Sequence, residues 1–245
     1  MKKPIIFVGM RDAIDMALCT VEDCGYQVIG ILDKYYYGNT DQFRGIPIIG
    51  SEDQLLDPND KAAQEWRKYD FLLTSWWTGA QYIGRGGLDD EAVRLERAKL
   101  LVDAGLSCPT IVHPSVTFRG RRESVAIDQG SIILPDVTFG PRNSIGRFSF
   151  VDWGASLYTE VHVKDNVIIG AEASLDHATI EDNVRIGAGS MVVPIGLRNI
   201  GQLTVGRNST VWMGCHAYKN IPDDAMWTKG DKIISKLLKK DSDEN

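Results

Sequence analysis

No apolar run in this chain approaches membrane-spanning length, and the opening residues MKKPIIFVGM lack the cleavage region of a secretory signal. Both absences predict a cytoplasmic protein that does not engage a membrane. Cysteine is scarce. Cys19, Cys24, Cys108 and Cys215 show neither CxxC nor zinc-ligand spacing, which predicts free thiols in a reducing compartment. Positive charge is not in excess. Lys and Arg total 27 against 33 Asp and Glu, and the net charge of −6 argues against nucleic acid as the main partner. A glycine-rich phosphate loop is also missing, because GMRDAID offers one glycine where such loops carry several. What remains is an ordinary globular composition, 43% apolar over 245 residues, enough for one or two domains.

Residues 1–112 alternate strand and helix. Residues 4–8 read as a strand that turns at Gly9, and 12–23 as a helix with Ile14, Ala17, Leu18 and Val21 on one face. A second buried strand over 27–32 ends at Asp33. A short edge strand is expected at 46–49, followed by a short helix capped by Ser51. Strands at 71–74 and 110–112 flank a helix over 89–104, stopped by Gly105, whose Ala92, Val93, Leu95, Leu100 and Leu101 face the sheet. This alternation predicts a parallel α/β, Rossmann-like sheet. Its ligand would lie at the carboxyl ends of the strands, near Gly9, Asp33 and Ser75.

From about residue 116 the regime changes. Ile127, Ile133, Phe139, Ile145, Val151, Leu157, Val163, Ile169 and Leu175 recur every six residues. The fifth place of each hexad holds Ser131, Val137, Asn143, Ser149, Ala155, Val161, Val167, Ala173 and Thr179, small or β-branched apart from Asn143. A period of six fits neither a helix nor strand alternation. It fits a solenoid of short strands and tight turns, with one apolar side chain per strand in a narrow core and the small partner where the backbone turns. The phase slips by one residue after Leu175, to Ile180, Ile186 and Val192. It breaks over 194–202, read as a loop leaving the solenoid, and resumes at Val205, Val211 and Ala217. Phe148, Phe150 and Trp153 are expected on outer faces, available for contacts between subunits. Ile233, Ile234, Leu237 and Leu238 predict a helix over 232–240 that caps the open end, before a disordered tail. The expected division is 1–112, 113–230 for the solenoid, and 231–245 for the helix and tail.

The hexads IGRFSF, IGAGSM and VGRNST resemble those of the hexapeptide-repeat acyltransferases, which fold as a left-handed parallel β-helix. The order strand–Gly, strand–Asp, helix, IVHPSV, hexads and VWMGCHAYKNIPD resembles a subset of them. These are bacterial sugar O- or N-acetyltransferases with a Rossmann-like domain before the β-helix, acting in sialic acid and diacetamido-sugar biosynthesis. The resemblance implies acetyl-CoA as acyl donor and a sugar or nucleotide-sugar acceptor. It also implies a homotrimer that binds acetyl-CoA between neighbouring β-helices.

It further implies a histidine general base in a context like V-x-H-D-C-x-I-G. Without a gap, that position falls on Thr159, which cannot act as a base at neutral pH. LDHATIED looks like the same motif with one residue deleted, which makes His177 the leading candidate and His162 the alternative. Asp176 and Glu160 are the carboxylates able to orient the imidazole.

Other positions carry weaker signals. Arg11 is a candidate phosphate ligand, Asp33 a ligand for a ribose or sugar hydroxyl, and Trp76 or Trp77 a surface on which a base or sugar ring can stack. The resemblance places the pantetheine arm near the backbone amides of Gly187, Ala188, Gly206 and Gly214, and the coenzyme phosphates near Lys219 or Lys229. Each of these glycines equally serves a tight corner. KGDKI departs from the G-x-P-A-K ending common in the family. His113, before Pro114, reads as a residue of the domain junction, and His216 as the border of a coenzyme pocket or a surface residue. A zinc-binding trio of histidines has no matching spacing. The altered base position keeps a second reading open, a non-catalytic sugar-nucleotide-binding or assembly protein of the same fold.

Overall fold

The computed structural model describes residues 2–9, 14–75, 87–195 and 202–235, with side chains in the helix that starts at Gly87 described from Arg94 onward. The chain divides into two compact units, Met1–Pro114 and Ser115–Asn245. Among the described residues, no helix is long and apolar enough to cross a membrane.

In the first unit, β1 (Lys3–Val8), β2 (Tyr26–Leu32), β4 (Ile46–Gly50) and β5 (Asp70–Leu73) form a parallel sheet in the order β4–β2–β1–β5. The two-residue β3 (Gln42–Phe43) runs antiparallel on its edge. Ile5, Ile6, Phe7 and Val8 are all fully buried, the continuous apolar run that a sheet covered on both faces requires. Helix α1 (Ile14–Asp23) buries Ile14, Ala17, Thr20 and Val21. Ser51 caps the short 3-10 turn Glu52–Leu56 as expected, with Gln54 completing a capping box.

Two expectations fail in this unit. Ile111–Val112 is not a member of its sheet. Beside β5 the Ser107 carbonyl accepts the Phe71 N–H at 2.8 Å, and Pro109 has no N–H with which to extend a ladder. On the helix Gly87–Asp103, Leu100 and Leu101 are buried as expected, but Leu95 is exposed, and Arg94, Arg97 and Ala98 are buried. Arg94, Arg97, Ala98 and Leu101 are spaced as one helical face. The apolar pattern included Leu95 and passed over two members of the buried face because they are arginines. Ala92 and Val93 lie outside the described side chains.

The second unit is a coil of parallel strands two to four residues long, stacked into three sheets. Partners in adjacent coils lie eighteen residues apart, as in Thr138 with Ser156, Ser144 with His162 and Phe150 with Ile168. One coil is a residue shorter: Val161 pairs with Ala178 and Ile168 with Arg185. That is the slip seen in the sequence. The next pairing, Arg185 with Thr210, spans twenty-five residues, and most of the expected loop over 194–202 (196–201) lies outside the described residues. From Ile133 through Ala217, the side chains at every hexad start are buried, while Ile127 on the first coil is only partly so. The fifth-place residues through Ala173 are buried as well.

The turning residue is the fourth of each hexad, not the fifth. Asp136, Arg142, Phe148, Glu160, Asn166 and Glu172 all have φ between 54° and 62°. The fifth place follows the corner and points inward. Its polar members are fully bonded there. Asn143 donates to the carbonyls of Gly140, Leu157 and Tyr158 and accepts the Val161 N–H at 2.8 Å. Asn143→Ala takes this acceptor from the buried Val161 N–H, and it should cost about 1–3 kcal/mol in urea unfolding.

Two further corrections concern the surface and the end of the coil. Phe148 and Phe150 are buried, whereas Trp153 is half exposed. A Cβ added at Gly130 would come within 2.5 Å of the Phe148 ring, which shows where that ring packs. Lys232–Ser235 is a strand, not the start of a helix, and it runs antiparallel to Ala225–Thr228. Gly230 and Asp231, both with positive φ, close the hairpin, and two adjacent isoleucines suit a strand. Residues 236–245 of the expected helix and tail lie outside the described residues.

Candidate active site

Of the expected base residues, the structure brings together His177, Asp176 and Glu160. The shortened coil draws His177 into the left-handed corner position, with φ 44°, directly over the corner that Glu160 occupies with φ 54°. His177 N–H donates to the Thr159 carbonyl at 2.8 Å, and Ala178 N–H to the Glu160 carbonyl at 3.2 Å. The Asp176 carboxylate receives two donors on Oδ1, the Thr159 N–H at 3.0 Å and the His177 ring at Nδ1, 2.9 Å away. A carboxylate only accepts, so Nδ1 carries a proton, and in the neutral ring Nε2 presents its lone pair. The nearest carboxylate oxygen to Nε2 is Glu160 Oε2 at 3.9 Å, beyond hydrogen-bond distance. The His177 side chain is 38% exposed. An imidazole oriented through Nδ1, with Nε2 turned away from that carboxylate, is the arrangement that proton abstraction requires.

His162 is placed differently. It stands in mid-strand on the outer face of a sheet, paired in register with Ser144 and Thr179, and its Nδ1 lies 3.1 Å from the Ser144 hydroxyl. Its ring partner is a hydroxyl rather than a carboxylate. His113 pairs with Asp23 at 3.1 Å, inside the first unit. His216 lies 3.2 Å from the Val193 carbonyl and packs edge-on against Tyr218. Thiol chemistry is disfavoured at the buried cysteines. Burial pushes the Cys108 thiol up to about 12 and raises that of Cys215.

The expected coenzyme positions have structural duties of their own. A Cβ at Gly187 would fall 2.4 Å from the Met213 amide nitrogen, and one at Gly206 2.5 Å from that of Asp223. Both glycines are therefore required by the coil stacked on them. Ala188 occupies the same kind of contact, its amide 2.6 Å from a Cβ built on Gly170. Gly214 has open space but φ +64°, so conformation accounts for it. Lys219 Nζ sits over the Trp227 ring at 5.3 Å, and Lys229 lies on the exposed Gly230 turn.

In the first unit, the strand ends converge as expected at Gly9, Asp33 and Ser75, but around a residue the sequence reading missed. Arg97 is 2% exposed, and its Nε donates to Glu52 Oε1 at 2.6 Å while Nη2 donates to Asp33 Oδ2 at 3.0 Å. Asp33 Oδ1 accepts the Tyr35 N–H and Glu52 Oε2 the Lys34 N–H. Arg97 Nη1 lies 2.5 Å from a Cβ built on Gly9, and Ser75 Oγ 3.0 Å from it. Any side chain at position 9 would displace the guanidinium. The buried Ser75 hydroxyl has no hydrogen-bond partner among the described residues. Arg11, Trp76 and Trp77 lie outside the described residues. The signal for Arg97 was its helical spacing from Arg94 and Leu101, which an apolar pattern cannot register.

No protein-family model and no curated protein matches this chain. Solved structures do. WeeI from Acinetobacter baumannii AYE superposes with a TM-score of 0.70 at 17% identity, over 95% of this chain and 100% of that one. A variant of perosamine N-acetyltransferase from Caulobacter crescentus, in complex with CoA and GDP-perosamine, gives 0.64 at 18% identity over 95% and 97%. The acetyltransferase domain of PglB from Neisseria gonorrhoeae FA1090 gives 0.55 at 18% identity over 95% and 100%. At these identities the likeness establishes a shared fold along nearly the whole chain.

Proposed function

We propose that this protein transfers an acyl group, acetyl in the simplest case, from acetyl-CoA to an amino or hydroxyl group of a nucleotide-linked sugar. The observation that carries the reading is the Asp176–His177 pair, with Nε2 basic and accessible at a corner of the coil. His177 Nε2 removes a proton from the acceptor as its nitrogen or oxygen attacks the thioester carbonyl. Backbone N–H groups stabilise the oxyanion. Collapse of the tetrahedral species expels the coenzyme A thiolate, which takes the proton from the imidazolium.

The first unit, read as a Rossmann-like domain, holds the nucleotide-sugar at its strand ends through Gly9, Arg11, Ser75 and Trp76, while Asp33 fixes Arg97 behind them. The second, read as a left-handed β-helix, is the acyltransferase domain. Its coenzyme contacts are the backbone around Gly187, Ala188, Gly206 and Gly214, with Lys219 and Lys229 for the phosphates. Support comes from perosamine N-acetyltransferase, which binds CoA and GDP-perosamine and has the same fold. Half-exposed Trp153 and Tyr158, with Met191, support a trimer that covers these side chains. The reaction belongs to the cytoplasm, where both substrates are made.

The test is coenzyme A release from acetyl-CoA with a panel of GDP-, UDP- and dTDP-linked amino and hydroxy sugars. Release with at least one acceptor is expected. Tight nucleotide-sugar binding without release would favour the binding-protein reading, for which Thr159 at the ungapped base position speaks. Light scattering should give a trimer at micromolar concentration, and a monomer would contradict a site shared between subunits.

A further inference from the structure

Three successive coils place Arg142, Glu160 and His177 at one left-handed corner, with φ 60°, 54° and 44°. The side chains interact in that order. Arg142 holds Glu160 by one oxygen only, with Nε and Nη2 both 2.8 Å from Oε1. The other oxygen, Oε2, is left 3.9 Å from His177 Nε2. Nothing covalent keeps Glu160 from turning to accept a hydrogen bond from a protonated Nε2. Such a bond would stabilise the imidazolium and cover the nitrogen that the acceptor must reach. Gln202 fastens the backbone of the same corner, its Nε2 donating to the Glu160 carbonyl at 3.0 Å.

We propose that Arg142 is a positioning residue that restrains Glu160 and so keeps His177 Nε2 unprotonated and open to the acceptor, a role resting on the reading of His177 as the base. The charged groups at the imidazole, among the described residues, are Asp176 on its own coil and Glu160 on the coil below, with Arg142 behind Glu160. The coil above contributes the neutral Gln202 amide to this corner. The signs follow from these groups. Arg142→Gln removes a cation and releases an anion beside the ring, so His177 titrates at higher pH. Glu160→Gln removes the anion, so His177 titrates at lower pH. Closing the Glu160 carboxylate from 3.9 Å onto the ring, in a largely aqueous setting, is worth roughly half a pH unit. With Glu160 already replaced, Arg142→Gln should add little.

The experiment follows the His177 ring by NMR titration in wild type, Arg142→Gln, Glu160→Gln and the double variant, with the acid limb of kcat/KM measured alongside. The expected result is an upward shift of about half a unit for Arg142→Gln, a downward shift for Glu160→Gln, and no further upward shift in the double variant. Arg142→Lys, which keeps the charge, should return the titration most of the way. An unchanged titration in Arg142→Gln overturns the proposal, as does an equal upward shift in the Glu160→Gln background. Ring shifts as stated, with an acid limb that does not follow them, would overturn the assignment of His177 as base while upholding the coupling.

Discussion

Replacing Arg97 with methionine should destabilise the protein by about 3–5 kcal/mol, the cost of leaving two buried carboxylates without their counter-charge. Asp33 and Glu52 are each about 1% exposed, and Arg97 is their shared ion-pair partner. Water cannot take its place without opening the core under the strand ends. Lysine should recover little, because one ammonium cannot reproduce the two diverging bonds of the guanidinium. The measurement is the urea midpoint of Arg97→Met against the triple variant in which Asp33→Asn and Glu52→Gln are added. The triple variant should recover part of the loss, since neutral amides tolerate burial better than unpaired carboxylates. An Arg97→Met protein with a wild-type midpoint would mean that the three groups are not energetically coupled.

His177→Asn should reduce acyl transfer by at least about 10²-fold, the scale of a general base, with the fold intact. Asparagine is the useful replacement because it tolerates the left-handed conformation held at this corner, whereas alanine adds strain unrelated to chemistry. His162→Asn should cost much less, because that ring lies on a strand face against the Ser144 hydroxyl. A larger loss at His162 than at His177 would move the base to the strand face.

The solenoid was legible because one physical rule repeats. Each short strand buries the side chain at its hexad start, so Ile145, Val151 and Leu157 appear six apart. The slip after Leu175 was legible too, and it located the shortened coil that carries His177. The corner itself was harder to read. Arg142, Glu160 and His177 occupy a conformation that usually favours glycine or asparagine, so composition did not mark them as turning residues. The glycines at 187 and 206 are required by the coil stacked on them, a duty that the sequence does not distinguish from a ligand contact by their backbone amides. Arg97 was invisible for the opposite reason. Sequence patterns place arginine on the surface, and only the convergence of Asp33 and Glu52 from separate elements makes its burial tolerable. The terminal hairpin was misread because Ile233, Ile234, Leu237 and Leu238 also satisfy helical spacing, and the turn formed by Gly230 and Asp231 outweighs it at Lys232–Ser235.

The central claim is that His177 Nε2 takes the acceptor's proton during acyl transfer. It is tested most directly by mass spectrometry of a nucleotide-linked amino sugar incubated with acetyl-CoA and either wild-type or His177→Asn protein, with binding of the sugar measured in parallel. Wild type should add one acetyl group to the sugar. His177→Asn should bind the sugar with unchanged affinity and add essentially none. Equal acetylation by both proteins would contradict it.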